Sequence, residues 1–264
     1  MGGARLRDFE TLLYQESDGV GVVTLNRPEV HNAFNRTMQM EMRELWMHLR
    51  RHEEVRVVVI TGAGEKAFCS GIDRTETIEE GFLKEGPTWR RVARAAGFVA
   101  SPFQYNDAGL DINPKQNGMW KPVVTAVNGM ACAGGLYLLG ESDVIIAAEH
   151  ATFFDPHVTY GMVAGFEPTH LLQKLPFGDT LRVALVGSRE RLSAARAYEL
   201  GLVSEVVAPS ELMGRARDIA LHIAEAPLDV LEGTLRAIWL AHDSGRRAAL
   251  AHAAAAEPAR PGRA

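Results

Sequence analysis

Two short stretches of this chain could hold negative charge on main-chain amides. The longer is Ala126-Val127-Asn128-Gly129-Met130-Ala131-Cys132-Ala133-Gly134-Gly135-Leu136-Tyr137-Leu138-Leu139. It reads as the end of a buried strand (Pro122 to Val127), an Asn128-Gly129 turn, a run of small residues and an apolar helix starting near Leu136. A helix start carries unsatisfied N–H donors and partial positive charge. Gly134-Gly135 lets another group approach the backbone closely. The second stretch, Ala67-Phe68-Cys69-Ser70-Gly71-Ile72-Asp73, is again small and glycine-containing after a strand. Each could aim one backbone N–H at a common point. Two amides on one oxygen form an oxyanion hole, which stabilises a thioester enolate or a tetrahedral adduct. The alternative is packing alone, with the glycine pair letting a helix lie tight on a sheet.

The elements that must position these stretches alternate along the chain. Phe9 to Gln15 and Gly19 to Leu25 read as paired strands about a Ser17-Asp18-Gly19 turn. A helix follows from Asn35, with Asn35 or Thr37 as cap and Met38, Met42, Leu45, Trp46 and Leu49 on its core face. Val55 to Ile60 is a buried strand, and the Thr61-to-Lys66 turn after it lacks the Gly-Lys-Ser/Thr ending of a phosphate loop. Trp89 to Val99 reads as a helix and Ser101 to Gly118 as a long loop of the kind that forms a lid or pocket wall. Strands are expected at Asp143 to Ala147, in His150 to His157 and at Leu202 to Val207. Helices are expected at Glu167 to Leu175, Ser193 to Leu200, Pro209 to Ala226 and Pro227 to His242. Strands alternating with helices give an α/β class. The residues divide into a core domain (1–207), a C-terminal helical region (208–245) and a frayed or disordered tail (246–264).

Composition narrows the function. The 264 residues are 47% hydrophobic and 23% charged with a net charge of −5, and show no basic stripe. No nucleic acid and no membrane partner are therefore expected. Cys69 and Cys132 sit among small and apolar residues, read as reduced thiols, and fit a cytoplasmic location. A Cys69 or Ser70 nucleophile lacks the required context. A metal set drawn from His150, Asp155, His157 and His170 has no standard spacing, so no metal is expected.

At this point the sequence resembles the crotonase superfamily, the enoyl-CoA hydratase/isomerase family. The pieces that carry the resemblance are Gly21 to Glu29 with Asn32-Ala33-Phe34, Val57 to Gly62 with Lys66 to Asp73, Lys121 to Gly129 with the glycine pair, Ser142-Asp143, Ala151-Thr152-Phe153, and Gly201 to Val207. They run in order from about residue 9 to 240. The resemblance implies a crotonase fold of repeated ββα units in two perpendicular sheets, with C-terminal helices that support a homotrimer or a dimer of trimers. It implies an acyl-CoA thioester substrate, with no cofactor beyond the coenzyme A carried by that substrate. The oxyanion amides fall on Ile72 and Gly134. His31, Ala33, Phe34, Phe68, Ser70, Gly71, Asp73, Met130, Gly135 and Pro156 would line the CoA and substrate channel, mainly through the backbone.

The chain also departs from the family. Tyr137 and His157 stand where hydratases of this family place their two glutamates, so standard hydratase or isomerase activity is not implied. His157 can titrate near neutral pH and Asp155 can orient it, while Tyr137 either donates a hydrogen bond or lines the pocket. Glu141 and Glu167 read as solvated helix charges that could supply a carboxylate from a new position. The expected activity is an acyl-CoA reaction of the hydratase/isomerase type with non-standard acid/base residues. Hydrolytic C–C cleavage, another lyase step, and a catalytically silent acyl-CoA-binding protein are the alternatives. A C-terminal helix over CoA would be cut short by Pro258 and Pro261.

Overall fold

Asp18 and Gly19 both take left-handed backbone (φ 56° and 81°), the two-residue turn that suits the twist of an antiparallel pair. They join β1 (Leu12–Ser17) to β2 (Val20–Leu25) in register from Leu12 opposite Leu25 to Ser17 opposite Val20. The computed structural model describes residues 8–75 and 109–244. The remaining strands are β3 (Val57–Gly62), β4 (Ala67–Cys69), β5 (Val123–Val127), β6 (Met130–Cys132), β7 (Val144–Ala148), β8 (Thr152–Phe154), β9 (Leu192–Ser193) and β10 (Glu205–Val207). The helices are α1 (Arg36–Leu49), α2 (Gly109–Ile112), α3 (Gly135–Glu141), α4 (Phe166–Leu171), α5 (Phe177–Val186), α6 (Ala194–Glu199), α7 (Leu212–Ala224) and α8 (Leu228–Asp243).

The strands form two sheets, ordered β1-β2-β3-β5-β7-β10 and β4-β6-β8-β9. The larger sheet is parallel from β2 onward. The smaller is parallel through β4, β6 and β8. The chain passes from a large-sheet strand to a small-sheet strand three times, β3 to β4, β5 to β6 and β7 to β8, which is the repeated ββα pattern. β3 and β5 are buried along their whole length, which is why they read as continuous apolar runs rather than alternating ones. Asn35 caps α1 by accepting from the Met38 amide, and Met38, Met42, Leu45, Trp46 and Leu49 enter the core as expected. On the opposite face of the large sheet, Leu212, Ala216, Ala220 and Ala224 of α7 pack on Val57, Val59, Val124 and Ile146.

Four expectations need correction. Met130–Cys132, read as turn and small residues, is strand β6. The helix expected to Leu175 ends at Leu171. α5 was not anticipated. Within the loop expected over Ser101 to Gly118, residues 109–118 form a helical turn and packed turns, with Ile112, Asn113 and Lys115 buried. The helix expected at Trp89 to Val99, the loop residues 101–108 and the tail lie outside the described residues.

Candidate active site

The register of the small sheet builds the site. Cys69 pairs with Ala131, and Cys132 with Phe154. The carboxyl ends of β4, β6 and β8 therefore lie side by side, and the loops leaving them are Ser70-Gly71-Ile72, Ala133-Gly134 and Asp155-Pro156-His157. Crevices at the carboxyl ends of parallel strands are natural ligand sites. Here the first two loops abut. A Cβ on Gly71, whose φ is +90°, would stand 2.7 Å from the Gly134 nitrogen and 2.8 Å from the Ala133 Cβ. A Cβ on Gly135 would stand 2.4 Å from the Cys69 carbonyl oxygen. Ala133 itself is left-handed (φ 47°), at a cost of about 1–2 kcal/mol.

The amides of this junction are directed by its hydrogen bonds. Phe34 N donates to Gly71 O (2.8 Å) and Asp73 N donates to Phe34 O (3.0 Å), bridging Phe34 to Ile72 in parallel. A parallel bridge uses the groups flanking the central residue, so the N–H of Ile72 points away from Phe34. Among the described residues neither Ile72 N nor Gly134 N donates to a protein acceptor.

The residues expected along the channel fall into two groups. Backbone at His31 (φ 58°) is tied to the first loop, since Ser70 N donates to His31 O at 3.1 Å. Met130 N donates to Lys66 O, and Ser70 and Pro156 are half-buried. Ala33, Phe34 and Phe68 are core side chains, so only their main chain can face a ligand. The Phe34 ring fills the space beside Gly134. Asp73 is held by Arg27, whose Nη1 lies 2.8 Å from its Oδ2.

Beside the amides sits a chain of titratable groups. Asp155 is fully buried, and its Oδ1 accepts from the His157 backbone N–H (3.2 Å) and lies 2.5 Å from His157 Nδ1. A carboxylate there holds the proton on Nδ1 and turns Nε2 outward. Nε2 lies 3.7 Å from Glu167 Oε1. Tyr137, on the first turn of α3, packs edge-on to Phe166 and against His170, and its hydroxyl donates to Glu167. Burial raises the Glu167 pKa, opposed by the nearby His157. Burial also lowers the pKa of His170.

Glu167 and Glu141 are thus not solvated helix charges. Glu167 is 2% exposed. Glu141 is buried and accepts from Lys115 N (2.6 Å), and burial lifts its carboxyl to about 7. Sequence reasoning missed both because an acid on a short helix carries no local sign of what covers it. His150 is not with the other candidate ligands, since its Nε2 meets Glu65 O. Asp155, His157 and Glu167 offer ligand-type atoms within 4.8 Å of one another, but Asp155 Oδ1 is already engaged by His157. Cys69 and Cys132 are buried, with thiols pushed up to about 12, and are unsuited to act as nucleophiles.

Against known proteins, the family model described as enoyl-CoA hydratase/isomerase matches residues 20–253. The chain is 36% identical to (E)-benzylidenesuccinyl-CoA hydratase of Thauera aromatica, over 86% of this chain and 81% of that protein. It is 33% identical to short-chain-enoyl-CoA hydratase of Clostridium acetobutylicum, over 84% and 79%. The chain belongs to the enoyl-CoA hydratase/isomerase family. An enoyl-CoA hydratase/isomerase from Mycobacterium paratuberculosis superposes with a TM-score of 0.80 at 35% identity, covering 94% of this chain and 88% of that one. The two sheets and their ββα repeats are accordingly the crotonase fold of this enoyl-CoA hydratase/isomerase family. No helix among the described residues is long and apolar enough to cross a membrane.

Proposed function

We propose that this family member binds an unsaturated acyl-CoA thioester with its carbonyl oxygen between the amides of Ile72 and Gly134, and that His157, oriented by Asp155, handles the proton at the carbon next to that carbonyl. The observation that carries the reading is the junction of two glycine loops. It sets Gly71 directly against Gly134 and leaves the amides of Ile72 and Gly134 undonated among the described residues, beside a buried Asp–His pair. Negative charge developing on the thioester oxygen is stabilised there by fixed dipoles. The reaction assigned is addition of water across the C2=C3 bond.

The Asp155–His157 pair supports an enzyme rather than a silent binder, since the carboxylate on Nδ1 leaves Nε2 outward, the arrangement of a proton-handling imidazole. The same pair supports hydrolytic C–C cleavage as the second reading. The test follows loss of the conjugated-thioester absorbance of crotonyl-CoA, with His157→Ala alongside. Turnover lost in His157→Ala supports hydration. Turnover on β-keto thioesters alone supports C–C cleavage. Binding without turnover on either class returns the protein to the silent reading. We further propose a homotrimer or dimer of trimers, supported by the exposed Phe177, Leu181 and Leu185 stripe on α5 and by α8, none of whose residues is fully buried. A monomeric mass in solution would refute it.

A further inference from the structure

The described residues include three buried glutamates, and their surroundings separate one from the others. Glu41 accepts the amides of Glu10 and Thr11 and the Thr11 hydroxyl. Glu141 accepts the amides of Lys115 and Gln116. Both tie segments of main chain together, the ordinary use of a buried carboxylate. Glu167 ties none. Its partners are its own amide, the Tyr137 hydroxyl and, at 3.7 Å, the outward nitrogen of His157. Tyr137 comes from α3, one turn beyond the Gly134 amide, and His157 from the loop after β8. Side chains from two separate elements thus meet one carboxylate on a third, and among the described residues no other segment of main chain competes for it.

We infer that Glu167 is a catalytic residue of this site: its carboxylate takes the proton from the water that adds to the bound enoyl thioester. This deepens the reading of the site above and rests on it. The carboxylate accepts one water proton as the water oxygen bonds to C3. The C2=C3 electron pair moves into the thioester as an enolate held by the Ile72 and Gly134 amides. The enolate returns its pair to C2, which takes a proton from Nε2 of the His157 imidazolium. The Glu167 carboxyl then passes its proton to Nε2 across the 3.7 Å gap. One H and one OH have been added, and both side chains are restored. Tyr137 holds the carboxylate in place through its hydroxyl.

The test compares wild type with Glu167→Gln, which keeps the shape of a protonated glutamate. Hydration of crotonyl-CoA is measured beside the Kd of saturated butyryl-CoA, which cannot be hydrated and reports an intact site. Expected is a fall in kcat of about 10²–10⁴-fold, the usual scale for removing a general base, with the butyryl-CoA Kd unchanged. A kcat within about tenfold of wild type overturns the inference, and so does a fall that comes only with lost butyryl-CoA binding. If wild type binds butyryl-CoA yet hydrates no enoyl thioester, the hydration reading fails first and takes this inference with it.

Discussion

Replacing Gly71 by alanine tests the junction directly, because Gly201 supplies a matched control. Both glycines are left-handed (φ +90° and +87°), but nothing lies within 4 Å of a Cβ added at Gly201. Gly201→Ala therefore meets only backbone strain, about 1–2 kcal/mol. Gly71→Ala meets the same strain and also sets a methyl 2.7 Å from Gly134 N and 2.8 Å from Ala133 Cβ. Neither neighbour is a flexible side-chain end, so crowding adds about 1–3 kcal/mol. The methyl also covers the Gly134 amide. Loss of one oxyanion donor is worth about 10²–10³ in kcat. Thermal unfolding and enoyl-thioester absorbance should thus separate the variants. Gly201→Ala should be modestly less stable with near wild-type kcat, and Gly71→Ala less stable again and at least about 100-fold slower. Equal kcat in the two variants would refute the argument that the Gly71–Gly134 contact borders the reacting oxygen.

Three further outcomes are expected. Burial holds the Glu141 carboxyl at about 7 against an ordinary 4.5, so the folded state keeps a proton that the unfolded chain releases and stability falls as pH rises through that window. Glu141→Gln lacks this proton and should gain on wild type by up to about 3 kcal/mol between about pH 5 and pH 8; a pH-independent difference in urea unfolding would count against it. Trp239 donates to Asp143 Oδ1 (2.7 Å) with Lys115 and Lys174 over its ring, so Trp239→Ala should cost about 2 kcal/mol and speed amide exchange along α8, and unchanged exchange there would refute that anchor. Cys69 and Cys132, buried with thiols pushed up to about 12, should resist a thiol reagent until the protein unfolds, and fast labelling of the native protein would contradict that placement.

Local chemistry made much of this fold legible. Asp18-Gly19 marked the hairpin, Asn35 the start of α1, and the valine runs the central strands. What stayed hidden depended on distant packing. β6 has only three residues, too short for any periodicity, and is a strand because β4 and β8 flank it. α5 inverts the usual pattern, burying Thr180 and Ala184 while Phe177, Leu181 and Leu185 face outward. At the site, the two amide loops and the Asp155–His157 pair could be read from residue types, since glycine and a near-neighbour Asp–His pair advertise themselves. Glu167 could not, because its position between Tyr137 and His157 exists only once α4 packs on α3.

The most direct measurement is a crystal structure with an acyl-CoA thioester such as acetoacetyl-CoA bound. The account predicts the thioester carbonyl oxygen about 2.7–3.1 Å from the nitrogens of both Ile72 and Gly134, with His157 and Glu167 facing the carbons beside it. A thioester bound with its carbonyl turned away from those two nitrogens would contradict it.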